Sequence, residues 1–456
     1  MSERQGFPYV KQVLIGSLSG AVALALVIVG FSISGGISTP SSTDALPSSS
    51  ASASASASAS VTLCSVKDLA ASADLGNLQA LVTNAATDQV LFARNENQAS
   101  ATASVMKLVT AAAALQTLGP NYRVDTRAYR DATDLGVVYL VGGGDVTLSR
   151  TKPGESSVYA NAPKLNDLAV AVNAAVGTSP ITRIVVDSSL FPGSQWDPTW
   201  ERSEQTIGYM SQVSALQVDG DRANAAKETS PRSTKPELRA GAWFKSALGN
   251  SATTATVVQG VTPPSATQIA RVSSQPISNW INHMLQVSDN TQAEALARLT
   301  ALDLGYDGSF ASIDAAFKKA LQSANVDATG SLFKDGSGLS ASNAVSPTVI
   351  VKLVKLIQQG VGSFSVIKQG LPVSGETGSL SSRFKGDNVD AAGHVHAKTG
   401  WIKHGYTLAG YIDAKDGSTL LFAVYALGPN VEDKAKDAID ALVTGFYRCG
   451  ASLGND

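Results

Sequence analysis

The sequence predicts an α/β fold of the α+β type: one antiparallel sheet flanked by helices, with an inserted domain of mixed α and β structure. Three observations predict it. The end of the chain alternates three strand-like stretches, 395–402, 405–413 and 418–427, with a closing helix at 431–447, and helical stretches precede them, which places helices on both faces of one sheet. A segment around residue 108 is apolar on nearly every helical face, the mark of a helix buried in a core. Between residues 123 and 275 the texture shifts to short apolar strands separated by helical stretches.

Taken in order, residues 1–11 carry Arg4 and Lys11 and lead into VLIGSLSGAVALALVIVGFSIS at 13–34. About 20 apolar residues span a bilayer, and the positive flank stays inside. Residues 12–34 therefore read as a retained membrane anchor, the alternative being a long cleaved signal; both export the rest of the chain. Residues 35–62, ending in SSSASASASASAS, have too little to bury to offset their ordering entropy and read as a tether. The globular part follows, as 63–122 and 276–450 around the 123–275 insertion, with a tail at 451–456. At 456 residues the chain has room for two cores. A net charge of −2 without a long basic run gives no footprint for nucleic acid.

Cys64 and Cys449 bracket the globular part. Export and an even count permit one disulfide, which would stabilise by about 5 kcal/mol on the chain-entropy model; the alternative is two unpaired thiols. Cys64 lacks the small-residue context of a lipidated cysteine.

Residues 78–95 read as two short strands around a polar turn. In the apolar helix that follows, Val105, Leu108, Ala112 and Leu115 fill the core, Thr102 stands at the N-cap and Gly119-Pro120 stops it. The insertion offers strands in GVVYLVGGGDVTL, ITRIVVDSSLF and TATVVQGV and helices near 163–176 and 237–248. Helical periodicity returns at 277–304, 308–324 and 346–359.

The chemistry sits on three short motifs. Ser104 and Lys107 are three apart on the buried helix and share one face. A serine hydroxyl attacks only when a base takes its proton, and a lysine is such a base only when burial or a nearby cation keeps it neutral. Ser-x-x-Lys occurs elsewhere too, for example at Ser149 and Ser365, and neither of these opens an apolar helix. Ser288-Asp289-Asn290 offers a hydroxyl to relay a proton and an amide to hold a substrate; alone it reads as a helix cap. Lys398-Thr399-Gly400 places a second cation on a terminal strand, where it would depress the pKa of Lys107 and attract a substrate carboxylate; the Thr399 hydroxyl would donate to that substrate. Gly400 lets an extended substrate approach closely, and the N–H groups of Trp401 and Ser104 would form an oxyanion hole. His394 and His396 alternate along a strand without a third ligand, so neither a metal nor a cofactor is expected.

Together the motifs follow the order S-x-x-K, S-D-N, K-T-G of penicillin-binding proteins and β-lactamases. Over residues 64–450 the chain resembles the class C low-molecular-mass penicillin-binding proteins, the D-alanyl-D-alanine carboxypeptidase/endopeptidase family. YLVGGGDVTLS, IVVDSSLFPG, VSALQVDGDRAN, SDNTQAEALAR, DGSGLS and LPVSGETGSLSSRF carry the resemblance beyond the motifs, as does the long gap between Ser104 and Ser288. The insertion looks shorter than in fuller members, so a third domain found in some of them is expected to be missing. The resemblance implies the transpeptidase-like fold, a Ser104 acyl-enzyme with Lys107 as base, Ser288 passing a proton to the leaving amine, and Asn290, Lys398 and Thr399 serving the substrate. It also implies that Asp145, Arg383 and Trp401 position the substrate; the alternative for Asp145 is that it simply closes a glycine turn. The partners it implies are peptidoglycan stem peptides and, as covalent inhibitors, β-lactams.

Two alternatives stand beside this reading. A β-lactamase needs a fast deacylating water, and no Glu between Ser104 and Ser288 has an Asn four residues on, as class A enzymes require. A non-catalytic cell-wall binding module would keep the pocket without turnover; the intact lysines speak against it.

Overall fold

The architecture is that of a computed structural model, which describes residues 64–429 and 431–455. The apolar stretch at 13–34 and the Ser/Ala-rich stretch at 35–62 lie outside the described residues.

The chain runs through α1 (Lys67–Ala70), β1 (Asn77–Asn84), β2 (Val90–Arg94) and α2 (Met106–Thr117). Next come β3 (Asp125–Arg130), β4 (Val137–Val141), α3 (Leu165–Val176), β5 (Arg183–Asp187), α4 (Ser203–Ile207), α5 (Pro236–Leu248), β6 (Thr256–Gln259) and β7 (Thr267–Ser273). The helices α6 (Ile277–Val287), α7 (Asn290–Asp303), α8 (Ile313–Ser323), α9 (Pro347–Gln359) and α10 (Ser365–Gly370) follow. The chain closes with β8 (Val395–Ile402), β9 (Gly405–Asp413), β10 (Thr419–Leu427) and α11 (Asp433–Cys449).

The main sheet is antiparallel throughout, in the order β2-β1-β10-β9-β8. Its strands alternate as a doubly covered sheet requires. On β10, Leu421, Ala423 and Tyr425 join a core with α2 and α6–α9, while Leu420, Phe422 and Val424 join a second core under α11. Helices on both faces are what the terminal hairpins and flanking helices predict. A disulfide joins Cys64 to Cys449.

Residues of the insertion form a second sheet, β6-β5-β4-β3-β7, parallel between β4, β5 and β6 and antiparallel around β3. The sequence reading found β4, β5, β6, α3 and α5 but not β3 and β7. On β7 only Ala270 is fully buried, so the alternating apolar signal is too thin to read.

Two helix starts differ from expectation. Thr102 does not cap α2: its hydroxyl donates to the Ala103 carbonyl, and a tight turn at Ala103–Val105 opens the helix instead. The reason is Ala103, which is buried with a left-handed φ of +46°. The helical stretch at 277–304 is two helices, because Ser288 is also left-handed, with φ +62° and ψ +39°. Asp289 then caps α7, its carboxylate accepting from the Gln292 N–H at 3.0 Å.

Candidate active site

Helix α2, apolar on all sides, is sunk into the core from Met106 to Leu115. Lys107 on its first turn is consequently wholly buried, yet surrounded by acceptors. Its Nζ lies 2.9 Å from Ser104 Oγ, 2.6 Å from Asn290 Oδ1 and 2.7 Å from the Ser337 carbonyl. Asn290 Oδ1 and the carbonyl can only accept. A neutral amine has two N–H groups for them, and its lone pair then faces the Ser104 hydroxyl.

Electrostatics favour that form. Burial lowers the Lys107 pKa to about 8, against an opposing pull from Asp335, Glu294 and Asp289. Glu294 is itself pushed up to about 8 by burial and by Asp335. Its Oε1 accepts from the Gly336 and Ser337 N–H groups and so holds the loop whose carbonyl receives Lys107.

The second lysine arrives from the sheet edge. Lys398 on β8 is also fully buried; its Nζ donates to Ser288 Oγ at 3.0 Å and to the Thr399 carbonyl at 2.7 Å. Burial lowers its pKa well below the ordinary value, and Lys107 lowers it further. Repulsion between the two amines acts on both, as expected of a second cation beside Lys107, while burial is the largest cause of the fall at each.

Two glycines bring the parts together. A Cβ at Gly400 would stand 2.8 Å from the Ser104 nitrogen, and one at Gly338 would overlap the Ala103 carbonyl. Strand β8 and the loop at 335–338 therefore close on the turn that presents Ser104.

These side chains open into a cleft of about 800 Å³ that Ser104, Ser288, Asn290, Thr399, Gly400 and Trp401 line. Thr399 Oγ1 is 2.7 Å from Ser379 Oγ, and Trp401 is half exposed at the rim. Asn290, expected to hold substrate, has both ends engaged: Oδ1 accepts from Lys107, and Nδ2 donates to the Tyr209 carbonyl at 3.1 Å.

Two expected substrate contacts have other work. Asp145 is buried away from the residues that line the cleft and closes a turn, accepting from the Thr147 N–H and hydroxyl. Arg383 borders the cleft, but its guanidinium is spent on Asp440 of α11, at 2.6 Å. The reading also missed Ser337, Glu294, Tyr209 and Ser379. Ser337 and Tyr209 act through backbone carbonyls, which no motif records. Glu294 was detectable as a lone carboxylate inside a fully buried helical run.

Comparison with known proteins agrees with this geometry. The model of the D-Ala-D-Ala carboxypeptidase 3 (S13) family matches residues 63–231 and 217–446. A carboxypeptidase of Mycobacterium tuberculosis is 33% identical over 393 residues, covering 84% of this chain and 83% of its own. A D-alanyl-D-alanine carboxypeptidase of an Actinomadura species is 26% identical over 427 residues, covering 75% of this chain and 76% of its own. The fold matches that of penicillin binding protein 4 from Haemophilus influenzae with a TM-score of 0.70 at 19% identity, over 82% of this chain and 96% of that one. The chain belongs to the D-Ala-D-Ala carboxypeptidase 3 (S13) family and is an enzyme of that kind.

Proposed function

We propose that the protein is a serine acyl-enzyme that removes the terminal D-Ala from peptidoglycan stem peptides, cuts D-Ala-linked cross-links by the same chemistry, and is acylated by β-lactams. The carrying observation is the 2.9 Å contact between Ser104 Oγ and a buried Lys107 amine lowered to about 8. Ser104 Oγ attacks the carbonyl carbon before the last D-Ala while its proton passes to Lys107 Nζ. The C–N bond breaks as the leaving nitrogen takes the proton that Lys107 received, relayed through the Ser288 hydroxyl that Lys398 holds, which leaves Lys107 neutral again. Water then cleaves the ester and restores Ser104. Lys398 hydrogen-bonds the Ser288 and Thr399 hydroxyls and the Thr399 carbonyl and meets no carboxylate among the described residues, which leaves it to pair with the substrate's terminal carboxylate.

The apolar stretch at 13–34 supports an extracytoplasmic enzyme held at the membrane. One of the matched Haemophilus structures is a complex with a β-lactam, which supports β-lactam acylation here.

Fluorescent penicillin with purified protein tests the reading. Wild type is expected to take a stable label at Ser104 and to release D-Ala from a pentapeptide. Ser104→Ala should lose both and keep its fold. D-Ala release by Ser104→Ala at the wild-type rate would overturn the nucleophile assignment; rapid loss of the label from wild type would make the enzyme a β-lactamase.

A further inference from the structure

The middle residue of the Ser288-Asp289-Asn290 motif points away from the cleft, and the insertion grips it from behind. Asp289 Oδ2 accepts from Arg222 Nη2 at 2.8 Å and from the Tyr159 hydroxyl at 3.0 Å. Arg222 Nη1 donates to the same Tyr159 oxygen at 2.6 Å, and the guanidinium lies over the Tyr159 ring at 4.9 Å. Both charged side chains are 2% exposed. The remaining nitrogen, Nε, donates to the Glu228 carbonyl at 3.1 Å, and the Glu228 carboxylate in turn meets His283.

The loop that delivers Arg222 is costly to form. Asp219, Gly220 and Asp221 are successively left-handed, with φ of +53°, +56° and +58°. Three further arginines hold it: Arg150 on Asp219, Arg239 on Asp221 and Arg232 on the Gly220 carbonyl. Such strain persists only where the surroundings over-determine it.

On the other side of Asp289 the chain is also strained. Ser288 is left-handed, and its Oγ must meet Lys398 while Asn290, two residues on, meets Lys107. Asp289 is the only residue between them, so fixing its carboxylate fixes the spacing of the two lysine contacts. We infer that Arg222 is a positioning residue for catalysis: through its buried pair with Asp289 the insertion holds Ser288 and Asn290 in the register that lets each meet its lysine. The inference rests on the acyl-serine reading of the site.

Arg222→Gln and Asp289→Asn, singly and together, test it by penicillin acylation, with amplitude and rate measured separately on the full chain. The expected result is an unchanged titratable fraction that acylates about 100-fold more slowly, the size of effect a misplacement of about 1 Å produces, with KM for a pentapeptide moving far less than kcat. Arg222→Lys, which keeps the charge but not the fork, should recover part of the rate. Where Arg222→Gln alone leaves Asp289 uncompensated and unfolds the chain, the double variant carries no stranded charge and gives the reading. A folded double variant that acylates at the wild-type rate overturns the inference. So does a loss that appears wholly in amplitude, because Arg222 would then serve folding only. Failure of wild type to label at all would instead sink the acyl-serine reading.

Discussion

Two lysines meet serines that line the cleft, one on helix α2 and one on the edge strand β8, and both are fully buried. Their surroundings differ in sign. Lys107 has Asp335, Glu294 and Asp289 within electrostatic reach, and they limit its fall to about 8. Lys398 has two hydroxyls and a carbonyl as partners and another amine as its charged neighbour, and its pKa falls well below the ordinary value. On the proposed mechanism, counter-charge thus stands beside the amine that would take up and return a proton near neutral pH, and is withheld from the amine that would receive an anion.

The largest effect is expected on the helix side. Lys107→Met preserves volume but removes the proton acceptor and the donor to Asn290 and Ser337. Penicillin acylation should slow by about 10³-fold or more, toward the upper end of general-base effects. A rate within tenfold of wild type would break the comparison, since Lys398 would then have to be the base. A smaller and more selective effect is expected on the strand side. Lys398→Met should cost about 10–100-fold in kcat/KM toward peptides ending in a free carboxylate, the worth of a charged hydrogen bond. Toward the corresponding C-terminal amides it should cost far less. Equal losses on acid and amide would show that Lys398 serves proton transfer and not carboxylate binding.

The core of this site was legible in the sequence because its polar residues interrupt strongly apolar elements. Ser104 and Lys107 stand out on a helix that is otherwise core, and Lys398 on a strand that is buried at Val395 and Ala397. What stayed hidden acts through the backbone or through burial. The Ser337 carbonyl leaves no trace in side-chain identity. Arg383 and Asp145 were expected at the site only through the family resemblance; in the structure one pairs with Asp440 and the other closes a turn. Strand β7 escaped because its faces are largely exposed, and β3 because its alternating buried positions are Thr126 and Ala128, too small and too polar to write an apolar alternation into the sequence. Ala103 could not have been read as a left-handed residue, because alanine carries no preference for that region and only the packing of Gly338 and Gly400 against its turn accounts for it.

The smallest expected effect tests the counter-charge itself. Glu294→Gln keeps an acceptor for the Gly336 and Ser337 N–H groups and removes only the titration. The folded-state carboxyl titrates at about 8 and its ordinary value is 4.5. Between those limits the folded chain holds a proton that the unfolded chain has released, so this group's contribution to stability declines as pH rises from 4.5 to about 8. Glu294→Gln should flatten that decline, seen as a smaller loss of Tm across the same window. Acylation requires neutral Lys107 and so should rise with pH through about 8 in wild type. The Glu294 charge raises the Lys107 pKa, so its removal should move that ascending limb to lower pH. A limb that stays in place or moves to higher pH would show that Glu294 supplies no counter-charge to Lys107, and would leave Asp335 and Asp289 to account for the contrast between the two lysines.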